Sequence, residues 1–335
     1  MRPFMRKTRV GILGCANIAE KYAIAAFRSL PQVELVAIGS RKKAKAEEWA
    51  ARHRLEAETY DSLIARKDID IMYSPLPVGL QEEWTLKAAA AGKHVVCEKS
   101  ITYSLQSAER MVDAFKKNGL ALYENFVPEF HPQHAQVLAL INKQKIGIPH
   151  VWNGAYGFPP FPKGDIRFRA ELRGGALNDC GCYTVFMARK IMQQEPVAVT
   201  CALSNDEAEV DVKGSALLEF ENGEALMSFG FDHLYQNTYS VWGSKGMVRT
   251  NRAFAVPPSM APTVELITND GREEKCDMID VPAANQFALS FDFFCKAVAT
   301  NERGQFEDMY ERILHQASVL EAMRVSARER RRVEL

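Results

Sequence analysis

Val10-Gly-Ile-Leu-Gly-Cys-Ala-Asn-Ile-Ala19 carries a short apolar run straight into a turn of small residues. At the head of an alternation of strands and helices, such a junction is where dinucleotide-binding sheets seat a pyrophosphate. The full fingerprint is G-x-G-x-x-G, and this chain reads Gly14-x-Ala16-x-x-Ala19. Gly14 allows the tight turn. Ala16 and Ala19 are small enough for backbone approach to a phosphate and for packing of helix on strand. Cys15, Ala16, Asn17 and Ile18 open the helix, and their backbone groups are the expected cradle for the phosphates.

The alternation continues to residue 125. Apolar runs at 9–13, 33–39, 69–74, 94–97 and 121–124 read as strands, and amphipathic stretches at 17–30, 42–52, 80–91 and 104–118 as helices. Ser104 is placed to cap the last of these helices and Gly119 to close it. This spacing predicts a doubly wound parallel sheet, a Rossmann domain over residues 1–125. After a helix at 132–145 the pattern changes. Strands are predicted at 151–156, 196–203, 214–220, 225–231, 237–242 and 247–251, with Asn222-Gly223 as a hairpin signal and Ser244-Lys-Gly246 as a second turn. One helix at 176–192 interrupts them, and helices at 285–299 and 308–328 follow. The expectation is an α/β protein whose second domain, 126–335, is α+β with a large open, mostly antiparallel sheet. The C-terminal helix has room to pack back on the first domain.

Composition narrows the function. The 335 residues hold 42 Lys+Arg and 42 Asp+Glu, with 47% hydrophobic and 25% charged residues. These values exclude disorder, collagen and a disulfide scaffold. A net charge of zero removes the electrostatic footprint of a nucleic-acid binder. No apolar stretch approaches the ~18 residues that span a bilayer, and the basic N-terminus lacks the apolar core of a signal peptide. Seven Cys with no C-x-x-C pair read as free thiols of a cytoplasmic protein, without a metal site.

The end of the second strand selects the cofactor. It reads Ala37-Ile-Gly-Ser-Arg-Lys-Lys43, with no acid to take a ribose 2′-hydroxyl. Ser40 and Arg41 offer charge-assisted hydrogen bonds to a 2′-phosphate, and Lys42 adds positive field. NADP(H) is expected over NAD(H).

Two further segments carry chemistry. In Gly92-Lys-His-Val-Val-Cys-Glu-Lys-Ser100 a strand ends directly in Glu98-Lys99, at the carboxyl edge where open α/β sheets bind ligands. In Arg173-Gly-Gly-Ala-Leu-Asn-Asp-Cys-Gly-Cys-Tyr183 a glycine loop gives onto a helix that carries Asp179 and Tyr183 four residues apart. A tyrosine hydroxyl near a lysine ammonium is a general acid for an alkoxide formed on hydride transfer.

Taken in order, VGILGCANIA, PLPVGLQEEW, AGKHVVCEKS, ENF and GGALNDCGCY resemble the Gfo/Idh/MocA oxidoreductase family over nearly the whole chain. The resemblance implies a Rossmann domain followed by a domain whose open sheet mediates dimer or tetramer contacts. The family's Glu-Lys-Pro falls on Glu98-Lys99-Ser100, which carries its catalytic lysine onto Lys99 without the proline. Its Gly-Gly…Asp-x-x-x-His falls on Gly174-Gly175…Asp179, with Tyr183 at the histidine position, and a frequent histidine after the third strand is Gln81. Glu124-Asn-Phe126, His131-Pro-Gln-His134, Gly164-Asp-Ile-Arg167 and Trp242-Gly-Ser-Lys-Gly246 are similar to the branch of NADPH-dependent 3-ketoreductases that act on dTDP-linked keto-deoxysugars.

That resemblance implies Tyr183 as proton donor assisted by Lys99. It implies Pro75, Leu76, Glu98, Lys99 and Asn125 beside the cofactor, and Asn125, Arg167, Asp179 and Tyr183 toward a nucleotide-sugar or another small polyol or ketone. Two alternatives stay open: an NADP-linked dehydrogenase of a dihydrodiol, free sugar or polyol, and a catalytically silent nucleotide-sensing regulator on the same fold.

Overall fold

The computed structural model describes residues 6–162, 164–269 and 271–335. Residues 1–5, most of the basic stretch weighed above as a leader, lie outside the described residues. The chain divides into two compact units. One comprises residues up to Asn125 together with Phe287–Leu314, the other Phe126–Gln286 with His315–Leu335.

In the first unit, strands β1 (Thr8–Leu13), β2 (Val33–Gly39), β3 (Glu56–Glu58), β4 (Ile71–Ser74), β5 (His94–Glu98) and β6 (Leu122–Asn125) form one sheet in the order β3-β2-β1-β4-β5-β6. Every pairing is parallel. This is the doubly wound order whose switch point, between β1 and β4, is the ligand crevice. The inner strands are buried on both faces, which is why they read as continuous apolar runs. Ser104 accepts the N–H of Ser107 as an N-cap, and Gly119 closes the helix Leu105–Asn118 at φ 63°, both as expected.

Three features of this unit depart from the sequence reading. The predicted helix at 17–30 is a π turn, Ala19–Ala23, running into Ile24–Arg28. The edge strand β3 and the helix Tyr60–Ala65 were not expected; β3 is three residues with no apolar alternation. The helix Gln286–Thr300 belongs to this unit rather than to the 126–335 domain expected from sequence. Its Phe287 stacks on Tyr22 at 5.1 Å and its Phe291 on Phe27 at 3.9 Å. Burying such rings stabilises by about 1.5–3 kcal/mol each, which fixes the helix there.

In the second unit, β7 (Pro149–Gly157), β8 (Ala198–Ser204), β9 (Lys213–Phe220), β10 (Gly223–Gly230), β11 (Gln236–Gly243), β12 (Gly246–Thr250), β13 (Val264–Asn269), β14 (Glu274–Ile279) and β15 (Val333–Glu334) form a sheet in the order β14-β13-β12-β11-β7-β10-β9-β8-β15. All neighbours are antiparallel except β7 and β10, which run parallel. The β9–β10 hairpin turns through Glu221-Asn222, with Gly223 at φ 109°. A Cβ there would stand 2.5 Å from the carbonyl oxygen of His150, so only glycine fits. The helix Cys182–Met192 covers one face of the sheet, over Trp152, Leu218, Met227 and Val241. The opposite face exposes Leu226, Trp242 and Met278.

Candidate active site

At the switch point, Gly14 takes φ 134°, a conformation costly for any residue with a Cβ. A Cβ here would also meet Leu76 at 3.1 Å, Tyr60 Oη at 3.6 Å and Pro75 at 3.8 Å. The turn at the end of β1 therefore lies against the segment that follows β4. Gln81 is fully buried and holds that segment in place. It accepts from Ser74 Oγ at 2.7 Å and donates to the carbonyls of Ser74 and Leu76.

The helix after the turn opens as a π turn, a feature common at functional sites. Asn17 is exposed and Cys15, Ala16 and Ile18 are partly so, and the N–H of Ala16 bonds the carbonyl of Gly14 at 3.1 Å. Ser40 is buried, and its Oγ accepts the N–H of Lys42 at 3.2 Å. Arg41 and Lys42 are exposed. Lys45 donates to the carbonyl of Cys15 at 2.9 Å, joining the helix after β2 to the nucleotide turn. Burial pushes the Cys15 thiol up, so it stays protonated beside that lysine. Tyr60 and Lys45 were missed by sequence reasoning. Tyr60 opens a short helix behind the cap Thr59, and nothing local marks it as facing the turn.

Lys99 follows β5, and the Lys99–Ser100 peptide is cis. Beneath it is a buried polar network. Glu98 Oε1 accepts from Tyr73 Oη at 2.9 Å and from Asn125 Nδ2 at 2.7 Å. Asn125 Oδ1 accepts from Ser290 Oγ at 2.7 Å. Glu124, on the neighbouring strand, accepts the N–H of Ile101 at 2.9 Å. Burial pushes the Glu98 carboxyl up, opposed by the bonds from Asn125 and Tyr73 and by the charge of Lys99. Asn125 was expected against the nicotinamide or sugar. Its exposure is 0%, and with both ends of the amide engaged it supports the strand end that carries Lys99.

Tyr183 belongs to the second unit. The loop before it is gripped from two sides. The N–H of Gly175 bonds the carbonyl of Arg167 at 2.9 Å, and a Cβ at Gly174 would collide with that same oxygen. Asp211 accepts the N–H of Leu177 on its carboxylate at 2.6 Å and that of Ala176 on its carbonyl at 2.8 Å. Gly175, at φ 111°, leaves room for that carboxylate. Burial pushes the Asp211 carboxyl up, and the N–H of Leu177 and Arg324 hold it back. The π turn Leu177–Gly181 then feeds the helix Cys182–Met192. The half-buried Tyr183 ring stands edge-on to Phe126 at 5.6 Å and to Tyr156 at 5.5 Å.

Asp179, one turn earlier, accepts from Arg167 Nε at 2.8 Å, and Arg167 Nη1 reaches Asp165 at 3.1 Å. Arg167 was expected to face the substrate's diphosphate or sugar. It is paired with two carboxylates and holds Asp179.

Residues 8–126 match the family model of the oxidoreductase family with an NAD-binding Rossmann fold, and residues 134–249 match the GFO/IDH/MocA C-terminal domain. The chain belongs to the Gfo/Idh/MocA oxidoreductase family. Within that family it is 37% identical to a dTDP-3,4-didehydro-2,6-dideoxy-alpha-D-glucose 3-reductase of Actinomadura kijaniata, over 96% of both chains. It is 36% identical to the protein of that name from Saccharopolyspora spinosa, over 95% of this chain and 97% of that one. A solved structure of a 3-ketoreductase from Actinomadura kijaniata, in complex with NADP and TDP-benzene, superposes with a TM-score of 0.90 at 36% identity, covering 96% of this chain and 98% of that one. Among the described residues no cluster of three or more His, Cys, Asp or Glu side chains is arranged to hold a metal ion, and no helix is long and apolar enough to cross a membrane.

Proposed function

We propose that this protein is an NADPH-dependent 3-ketoreductase that reduces the C3 ketone of a dTDP-linked keto-deoxysugar. The observation that carries the substrate is the full-length likeness to the reductases of Actinomadura and Saccharopolyspora. The cofactor rests on the chain's own residues as well. Gly14 leaves open the space a Cβ would fill, and the end of β2 bears Ser40, Arg41 and Lys42 where an NAD site keeps an acid.

Cys15, Ala16, Asn17 and Ile18 would hold the pyrophosphate on backbone groups, Ser40, Arg41 and Lys42 would take the 2′-phosphate, and Pro75 and Leu76 would wall the site. When bound, the reduced nicotinamide supplies the hydride. Tyr183 Oη delivers the proton to the oxygen of the former ketone. Lys99 lends positive charge that favours loss of the phenolic proton, and solvent restores it afterwards. Glu98, Asn125 and Asp179 position these two groups and do not take part in proton transfer. A positioned acid contributes about 10²–10⁴-fold.

NADPH oxidation with a panel of acceptors tests this reading. Turnover is expected with dTDP-3,4-didehydro-2,6-dideoxyglucose and NADPH, with NADH much poorer. Faster oxidation of a free sugar or a dihydrodiol with NADP would replace it with the corresponding dehydrogenase.

The enzyme works as a cytoplasmic homodimer or homotetramer. The seven free thiols suit a reducing compartment. The open face of the nine-stranded sheet, where Trp242 is 64% exposed beside Val151 and Met247, suits burial against a second copy. Light scattering should give a dimer or tetramer for the wild type and a smaller species for Trp242→Glu; a monomeric wild type would refute the assembly.

A further inference from the structure

The aromatic surroundings of Tyr183 do not stop at its own helix. Tyr156 contacts the Tyr183 ring and lies 4.7 Å from Phe158, which in turn lies 6.0 Å from Tyr235. Three ring contacts thus lead from the proposed acid to a loop whose Leu234 is 83% exposed. Asn237 ties the far end to the near one. Its buried Nδ2 donates to Tyr235 Oη at 3.0 Å and to the carbonyl of Ala255, and its Oδ1 accepts the N–H of Phe254. Phe254 packs on both Tyr156 and Tyr183.

At that far end Arg252 sets its guanidinium over the Tyr235 ring, 5.0 Å from the centroid. Its main-chain carbonyl is fixed by Gln133 Nε2 at 2.7 Å. No carboxylate among the described residues pairs with its side chain. Arg167 makes the contrast, being held by Asp165 and Asp179 over Phe161. The second unit therefore presents one arginine paired with carboxylates, Arg167, and another with no paired carboxylate among the described residues, Arg252, at the outer end of the aromatic run from Tyr183.

We propose that Arg252 and Tyr235 form the subsite for the nucleoside diphosphate of the substrate. Arg252 pairs with the diphosphate, and Tyr235, backed by Phe158, stacks on the pyrimidine. This rests on the assignment of a nucleotide-linked sugar above and names the residues that separate such a substrate from a free one. A sugar with C3 at Tyr183 must carry its diphosphate well away from the reacting carbon, and the spare cation is where that charge needs it. A guanidinium matches two phosphate oxygens at once. A half-exposed phenol ring lined by a cation is a stacking platform for a base. The sequence gives only Asn251-Arg-Ala-Phe254, with no local signal for the role.

The experiment is calorimetric titration of the NADPH-loaded enzyme with dTDP alone, on wild type, Arg252→Gln, Arg252→Lys and Tyr235→Leu. Removing a charge-assisted contact is expected to weaken dTDP binding roughly 10- to 100-fold in Arg252→Gln, with an intermediate loss in Arg252→Lys. Tyr235→Leu should lose a similar factor. NADPH affinity should be unchanged in all three, and the KM for the nucleotide-sugar should rise while kcat at saturation stays within a few fold. Wild-type affinity for dTDP in Arg252→Gln, or a loss of kcat with KM intact, would overturn the subsite. A wild type that does not bind dTDP at all would instead remove the nucleotide-sugar reading itself. Should Arg252→Gln fail to fold, Arg252→Lys decides on the same criterion, because equal dTDP affinity for lysine and arginine would exclude bidentate recognition.

Discussion

Asn125 donates its side-chain amide to Oε1 of Glu98 across 2.7 Å, from the position on β6 that pairs with Glu98 on β5. The residue before the proposed catalytic lysine is thereby locked to the neighbouring strand, and through Ser290 to a helix far along the chain. A carboxyl kept here is neutral more readily than in water, because burial penalises its charge.

The sign of that effect is testable. A carboxyl raised in the folded state is protonated in both states at low pH, so stability is undiminished below about pH 4.3 and declines as pH rises through the folded value. Glu98→Gln keeps the shape and the accepting oxygen but removes the titration. The Tm of the variant relative to wild type should climb between pH 4 and pH 8; parallel curves would exclude the buried charge.

His134 should behave in the opposite sense. Burial lowers its imidazole to about 3, between Tyr239 Oη at 2.9 Å and the carbonyl of Ala253 at 2.9 Å. A histidine depressed below its ordinary value near 6.5 stabilises fully above that pH, and the contribution is lost as pH falls toward the folded value. Its ring resonances should not shift between pH 8 and pH 5. A midpoint near 6.5 would mean that the site is wet.

Tyr183→Phe keeps the ring against Phe126 and Tyr156 and deletes only the hydroxyl proposed as the proton donor. Turnover should drop by about 10²–10⁴-fold with NADPH affinity unchanged. Undiminished turnover would take Tyr183 out of the acid role.

Gly174→Ala forces a Cβ onto the carbonyl of Arg167, a backbone atom that cannot swing away. Overpacking of this kind costs about 1–3 kcal/mol. A lowered urea midpoint and reduced turnover are expected together, since the same loop leads into Tyr183. Wild-type values for both would show that the loop adjusts freely.

What the sequence disclosed follows how local each signal is. The turn at Gly14, the strand end at Lys99 and the caps Ser104 and Gly119 are written in adjacent residues, and all stand where they were read. The π turns at Ala19–Ala23 and Leu177–Gly181 escaped because apolar spacing alone does not separate them from an α-helix. β13, β14 and β15 escaped as short strands at or near the edges of the sheet, two of them largely exposed. The parallel pairing of β7 with β10 and the return of Phe287–Leu314 to the first unit are long-range choices that no window of sequence contains. Asn125 and Arg167 also carry bonds that no window of sequence contains, to Glu98 and Ser290 for one and to two aspartates for the other.

The most direct measurement follows the label from NADPH deuterated at nicotinamide C4 into the product of a dTDP-linked 3-keto sugar, by mass spectrometry and NMR. One deuterium at C3 of the sugar, with loss of incorporation when Lys99 or Tyr183 is substituted, is the expected result. An unlabelled product, or a label at any other carbon, would contradict 3-ketoreduction by this enzyme.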